Sequence, residues 1–169
     1  MKKLLILFFL YAGDVFAQTD SLQTKQFTIS GNVETESVIT LDSLQQYHVK
    51  AIGDLNITDH TGKFKHRDNM VRGVLLKDIL SHTKFKADSP KLLSRIYFVC
   101  TAADGYSVVY SWNELYNTAV GDHVFIITGK NKVKAADMPE SIQMASTSDY
   151  KTGRRYIHNL VSIDVRQIK

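Results

Sequence analysis

The chain has 169 residues, a formal net charge of +4 and a single cysteine, Cys100. A charge this small argues against nucleic-acid binding, which depends on a strongly basic surface. One cysteine excludes an intramolecular disulfide, so core packing alone must stabilise the fold. The length predicts one domain with a proper core and leaves little room for a second.

The N-terminus predicts an export signal. Residues 1–17, MKKLLILFFLYAGDVFA, begin with Lys2 and Lys3, continue with an apolar stretch and end in small residues suited to cleavage. The apolar stretch is about half as long as a bilayer span, so we expect a cleaved signal and no stable membrane insertion afterwards. The mature protein is then periplasmic or secreted, with a short disordered lead-in over residues 18–24 and one domain over 25–169.

Short β-strands dominate the prediction for this domain. Most of these runs alternate apolar and polar residues, or carry β-branched residues between turn signals such as Gly31 and Gly62. We predict strands over residues 27–30, 37–41, 48–58, 96–102, 107–110, 124–128, 142–146 and 156–165.

Three short helices complete the prediction. Residues 74–80, VLLKDIL, have apolar residues at helical spacing and predict the longest helix. Thr40 or Asp42 is placed to cap a helical turn that contains Leu44. Ser111 and Glu114 have the spacing of a capping box. The predicted class is therefore α+β, mostly β.

The strand that contains Cys100, FVCTA, is apolar on both faces, which predicts a central strand covered on both sides. Asp104 and Gly105 then predict a hairpin turn into the next strand. A reactive thiolate needs an exposed, electropositive environment, whereas the neighbours of Cys100 are apolar. We therefore predict a buried, structural cysteine.

The histidines give no metal-binding motif. None of the six forms HExxH, HxH or a Cys/His pair at metal spacing. His60 and His66 flank a turn and could converge on a metal, but solvated loop histidines are far commoner. No phosphate-binding loop or nucleophile elbow is present in the sequence. We predict no catalytic residue and no metal site.

Three basic clusters are candidates for binding an anion. In a strand, the alternate spacing of the first cluster would place its three charges on one face. If two clusters meet near the Asp104–Gly105 turn, they form a site for a phosphate or another anion. Otherwise each is a solvated edge strand or hairpin tip. The clusters are Lys63, Lys65 and Arg67; Lys130, Lys132 and Lys134; and Lys151, Arg154 and Arg155.

Four motifs, taken in order, resemble the oxidoreductase molybdopterin-binding domain, which has the sulfite-oxidase-like fold. They are FTISGNVETESVITLDSL, VRGVLLKDIL, YFVCTAADGYSVVYSWNEL and GRRYIHNLVSIDV. The resemblance extends over residues 26–166. It implies a mostly β, mixed-sheet α+β fold, in agreement with the strands predicted above.

The sequence departs from this family at the molybdenum ligand. In catalytic members, a cysteine before the helix motif ligates the metal, whereas the corresponding residues 55–62 contain none. Cys100 lies in a later strand that does not correspond to the ligand. The signal also lacks the arginine pair of the folded-export route that such enzymes use. Molybdopterin is thus implied by resemblance only, and we expect no cofactor.

We favour an exported, non-catalytic module that binds a small anionic or pterin-like ligand or a redox partner. One alternative is a molybdopterin-dependent oxidoreductase with His60 or Asp59 as an atypical metal ligand. The other is a structural domain that binds an exported protein partner. The candidate ligand-binding residues are His60, Lys63, Lys65, His66, Arg67, Asp104, Tyr106, Arg154 and Arg155.

Overall fold

The computed structural model describes residues 23–169, so the predicted signal peptide and residues 18–22 of the lead-in lie outside the described residues. No helix in the described part of the chain is long and apolar enough to cross a membrane. The strands are β1 (Gln26–Gly31), β2 (Ser37–Thr40), β3 (Lys50–Thr58), β4 (Phe64–Leu75), β5 (Ile96–Ala102), β6 (Ser107–Ser111), β7 (Val124–Lys130), β8 (Val133–Lys134), β9 (Gln143–Ser146) and β10 (Leu160–Gln167). The helices are α1 (Leu41–Leu44), α2 (Leu76–Leu80) and α3 (Trp112–Asn117).

These strands form two sheets. The first has the order β2-β1-β10-β5-β6, and it is mixed because β1 and β10 run parallel while its other pairs are antiparallel. The second has the order β3-β4-β7-β8, with β9 also paired to β7, and all its pairs are antiparallel. The observed architecture confirms the predicted α+β, mostly β class.

The larger core draws on both sheets. Phe98 and Ile163 from the first sheet belong to the same buried cluster as Val74 and Ile126 from the second. A smaller cluster includes the residues of the second sheet that alternate with these, among them Leu75 and Phe125. Since successive side chains of a strand point to opposite faces, the second sheet is covered on both sides.

Strand β7 is therefore the doubly covered strand. Its residues 124–127 are all buried, with Val124 and Ile126 in the larger cluster and Phe125 and Ile127 in the smaller one. The prediction that residues 96–102 form such a strand is wrong, because Tyr97, Val99 and Thr101 on the second face of β5 are only half-buried. Cys100 itself is completely buried, as predicted.

The helix predicted over residues 74–80 is shorter than expected. Val74 and Leu75 still belong to β4, where they pair with Ile126 and Phe125, and α2 begins only at Leu76. Val74 lies in the larger cluster and Leu75 in the smaller one, so this end of β4 is buried on both faces. A strand buried on both faces has a continuous run of apolar residues in its sequence. Such a run cannot be separated from a buried helix by periodicity alone.

The predicted turns and caps are confirmed. Gly105 has a positive φ of 86°, and the turn that contains it joins β5 to β6 in the predicted hairpin. Thr40 caps α1, and Ser111 forms a capping box with Glu114 at the start of α3. The strand predicted over residues 156–165 begins later, at Leu160, after Asn159 in the left-handed region.

Burial of β7 on both faces predicts a large effect of truncating Ile126. We expect Ile126→Ala to lower the free energy of unfolding by about 3 kcal/mol, because it removes buried methylene groups and leaves a cavity. Urea denaturation measures this change. The control Val109→Ala, at a β6 position that is 52% exposed, should cost less than about 1 kcal/mol. Equal losses in the two variants would contradict the double coverage of β7.

Candidate functional site

The turn over residues 59–63, the loop over residues 151–154 and the turn between β5 and β6 meet on one surface. The Tyr106 hydroxyl donates to the Arg154 carbonyl oxygen at 2.6 Å, and Arg154 Nε donates to the His60 carbonyl oxygen at 3.2 Å. We call this surface the three-turn face, formed by residues 59–63, 104–106 and 151–154. The first and third basic clusters thus contribute to one surface, with Lys63 in the first of these turns and Lys151 and Arg154 in the third, which Tyr106 contacts through its hydroxyl.

Residues 151–154 are docked on β3. The Thr152 hydroxyl accepts from the Thr58 amide at 3.0 Å and donates to the Asn56 carbonyl oxygen at 2.8 Å. Gly153 lies so close that a Cβ at this position would collide with the Thr58 carbonyl oxygen. A glycine is required here by close packing rather than by an unusual backbone angle.

The turn over residues 59–63 is organised by Asp59. Its Oδ1 accepts from the Thr61 hydroxyl and from the amides of Thr61, Gly62 and Lys63, at 2.6 to 3.0 Å. These bonds, the Thr61 hydroxyl foremost, lower the pKa of Asp59 to about 2. The carboxylate is therefore ionised at neutral pH and already engaged within its own turn.

Three cations on the three-turn face have no acidic partner. Lys63, Lys151 and Arg154 are exposed, and none lies within 4 Å of a carboxylate in residues 23–169. Tyr106 beside them is 43% exposed. The predicted site residue Asp104 accepts from the Tyr106 amide at 2.9 Å and so orders this turn.

The predicted common face of Lys63, Lys65 and Arg67 is wrong. Lys63 precedes β4, and a shift in register between β3 and β4 at Lys65 interrupts the alternation of side chains. Beyond it, Arg67 forms an ion pair with Asp54 at 2.8 Å. The ring of His66 points to the other face, where its Nε2 lies 3.7 Å from Asp68 Oδ1.

The predicted site residue Arg155 belongs to an ion-pair network. Its guanidinium donates to both carboxylate oxygens of Asp149, at 2.7 and 2.6 Å, and to Glu114 at 3.2 Å. It also lies 4.5 Å from the ring centroid of the buried Tyr110. These contacts raise the pKa of Arg155, with the Asp149 bonds contributing most. Arg155 thus ties the loop to α3.

A buried polar network lies beside β4. The Asp68 side chain is almost fully buried and accepts from Lys130 Nζ at 3.0 Å. The Tyr156 hydroxyl lies 2.9 Å from Asp68 Oδ2 and 2.6 Å from Gln143 Oε1. The sequence analysis did not predict this network. The one indication of it in the sequence is Asp68, a single acidic residue within the otherwise basic residues 63–72. Lys130, from the second basic cluster, is consequently neutralised.

Two cavities of the described chain lie away from the three-turn face. A groove of about 540 Å³ lies between α1, the Met70–Arg72 part of β4 and the β7–β8 hairpin; we call it the α1 groove. A cavity of about 380 Å³ lies across that hairpin. None of the nine predicted ligand-binding residues lines either cavity. The three-turn face is accordingly a surface site.

The residues present do not fit a molybdenum ion held by a thiolate. Cys100 is completely buried, and burial raises the pKa of its thiol to about 12. In residues 55–62, Asp59 is engaged by its own turn and the backbone around Asn56 binds Thr152. Within residues 23–169, no group of three or more His, Cys, Asp or Glu side chains could hold a metal ion.

Comparison with known proteins supports the fold alone. No protein-family model matches the sequence, and no curated protein matches it either. Among solved structures, 22 chains match, including the sulfane dehydrogenase SoxCD from Paracoccus pantotrophus. That match has a TM-score of 0.60 and 14% identity, and covers 85% of this chain but only 38% of the SoxCD chain. The chain thus has a distant molybdopterin-oxidoreductase-like fold.

The buried Asp68–Lys130 pair predicts that the stability of the fold depends strongly on the Asp68 carboxylate. We expect Asp68→Asn to lower the free energy of unfolding by about 3 kcal/mol, because the Lys130 ammonium loses its buried counter-charge. Thermal or urea denaturation measures this loss. Asp54→Asn weakens the solvent-exposed pair with Arg67 and serves as the matched control, with a much smaller effect. Similar losses of stability for both substitutions would contradict a stabilising role for the buried network.

Burial of Cys100 predicts that its thiol is inert in the folded protein. We expect no alkylation by iodoacetamide at about pH 8, because the raised pKa keeps the thiol protonated and no reagent reaches it. Intact-protein mass spectrometry measures the reaction. The same protein in guanidinium chloride should gain one adduct. Rapid labelling of the folded protein would show that Cys100 is accessible.

Proposed function

We propose that this protein is an exported, non-catalytic recognition module that binds a small anionic ligand at the three-turn face. The observation that carries the proposal is the meeting of three turns in which Lys63, Lys151 and Arg154 have no acidic partner among residues 23–169. Cations on one surface repel one another, and no carboxylate oxygen of residues 23–169 lies within 4 Å of these three, which favours an external anion. The tertiary contacts described above hold this arrangement together.

The geometry suits a phosphate or carboxylate group. Arg154 uses Nε for the His60 carbonyl oxygen, which leaves its two terminal nitrogens for a planar, forked contact. Lys151 passes close to Gly62, since its Cε lies 3.7 Å from the position that a Cβ on Gly62 would take. Lys63 is the residue that follows Gly62 in the chain.

The Tyr106 ring gives the face an aromatic element. Its hydroxyl is bound to the Arg154 carbonyl oxygen, so the ring is tethered beside the cations although it is 43% exposed. An exposed aromatic ring provides a surface for stacking a flat heterocycle. This combination supports a pterin-like anion as one ligand class.

The donor set supports a non-catalytic role. Molybdopterin chemistry would require a metal ligand on this face, and the residues here provide no thiolate. Asp59 is engaged by four donors in its own turn, and His60 is one isolated imidazole outside any cluster of metal-binding side chains in residues 23–169. The donor set of this face therefore favours ligand binding over metal chemistry.

A protein partner is the second candidate for the same face. Tyr150 is completely exposed and Phe64 is 59% exposed, and both adjoin the turns that form the face. Exposed aromatic residues beside arginine are typical of protein interfaces. An acidic exported protein would satisfy the same three cations.

Titration with two probes tests the small-ligand function. We expect pyrophosphate and pterin-6-carboxylate to bind, and Lys63→Gln/Arg154→Gln to weaken both by about tenfold or more, because two charge-assisted contacts are lost. Tyr106→Leu should weaken the pterin more than pyrophosphate, because only the pterin stacks on the ring. Isothermal titration calorimetry measures these affinities. The matched control is Lys91→Gln/Arg95→Gln, which removes the same charges from exposed positions elsewhere.

Two results would overturn the proposal. Equal affinities in the face variant and the control variant would show that the three-turn face does not bind the probes. Stoichiometric molybdenum, measured by mass spectrometry in protein purified from its own host, would show that the module is catalytic after all. Failure of both probes to bind would instead favour the protein partner.

A further inference from the structure

The α1 groove has the form of a ligand site. Its volume of about 540 Å³ lies within the range of pockets for small organic molecules. Leu41, Leu44 and Val49 form an apolar wall on one side, and Val133 and Ala135 lie on the other. The groove shares no residue with the three-turn face, so it is a second, separate site.

Cations without acidic partners surround this apolar surface. Arg72, Lys132 and Lys134 line the groove and are exposed, and none lies within 4 Å of a carboxylate in the described part of the chain. The lining includes no Asp or Glu. Lys130 also lines the groove, but its charge is neutralised by Asp68. The groove therefore combines net positive charge with an apolar interior.

The backbone holds these cations in place. Asn131 and Lys132 form the tip of the β7–β8 hairpin with φ values of 53° and 66°. Asn131 accepts from the Asn69 amide through Oδ1 at 2.8 Å and donates its own amide to the Asn69 carbonyl oxygen at 2.7 Å. Met70, with φ of 50°, follows in β4 and donates its amide to Asp54 at 2.9 Å.

Asn131 and Lys132 are the two central residues of a two-residue hairpin turn, in which both have positive φ. A non-glycine residue in the left-handed region costs about 1 kcal/mol or more, so the surrounding bonds must hold it there. Met70 and Lys132 both line the groove. The hairpin and β4 are thus clamped together before any ligand arrives, which lowers the entropy cost of binding.

We propose that the α1 groove binds a free, small amphipathic anion, with a carboxylate, sulfonate or phosphate head and an apolar body. The head contacts Arg72, Lys132 and Lys134, and the body lies against Leu41, Leu44 and Val49. The neighbouring cavity takes no anionic head, because Asp137 and Glu140 line it. This site goes beyond the proposed function, and it stands whether or not the three-turn face binds an anion.

Two fluorescent probes that differ mainly in charge test the site. We expect 8-anilinonaphthalene-1-sulfonate to bind in the α1 groove and dodecanoate to displace it from there. Arg72→Gln/Lys134→Gln should weaken the sulfonate by about tenfold, since charge-assisted contacts are lost. The uncharged N-phenyl-1-naphthylamine should bind that variant and the native protein equally, because its contacts are apolar. Fluorescence titration of the full chain measures all three.

Two control variants locate the binding. Lys91→Gln/Arg95→Gln removes one lysine and one arginine charge outside both the groove and the three-turn face, and it should bind the sulfonate like the native protein. Ala136→Glu places a carboxylate at an exposed position of the groove lining and should abolish sulfonate binding. Circular dichroism melts establish that every variant is folded.

The proposal fails under three results. Equal sulfonate affinity in the native protein and in Arg72→Gln/Lys134→Gln would show that these cations do not bind the sulfonate. Loss of binding in Lys63→Gln/Arg154→Gln instead would place the sulfonate on the three-turn face. Binding to phosphatidylglycerol vesicles without binding of dodecanoate would show a membrane surface contact rather than a site for a free ligand.

Discussion

Burial of β7 on both faces is the constraint on which the rest of the second sheet depends. Ile126 joins the core between the sheets, whereas Phe125 and Ile127 join the outer cluster. Strands β4, β8 and β9 all pair with β7 and take their positions from it. Through β4, the same strand also positions β3, at whose end the three-turn face begins.

Both proposed sites lie at the margins of the second sheet. The α1 groove is bounded by the β7–β8 hairpin, which is clamped to β4 through Asn131 and Asn69. The three-turn face lies beyond the end of β3, where Thr152 and Gly153 pack against the strand. In each case a rigid, buried sheet presents irregular segments at its margin, the usual arrangement of binding residues on a scaffold.

The pairing of charges separates structural cations from candidate binding cations. Arg155 and Lys130 are held by Asp149 and Asp68 and stabilise the fold. By contrast, Arg154 and Arg72 have no carboxylate partner within 4 Å in residues 23–169. Adjacent residues such as Arg154 and Arg155 thus have different roles, because one side chain enters the loop network and the other remains at the surface.

The sequence by itself determined the α+β class, the strands that alternate on one buried face, the Asp104–Gly105 turn and the caps at Thr40 and Ser111. These features depend on contacts within a few residues. Only the tertiary structure showed that Val74 and Leu75 belong to a strand, because residues buried on both faces lose their periodicity. It also decided which cations are neutralised, since the carboxylate that pairs with Lys130 lies 62 residues away in the chain. Local patterns cannot specify such long-range pairs, so the sequence identified the basic clusters while the fold selected the cations that remain open to a ligand.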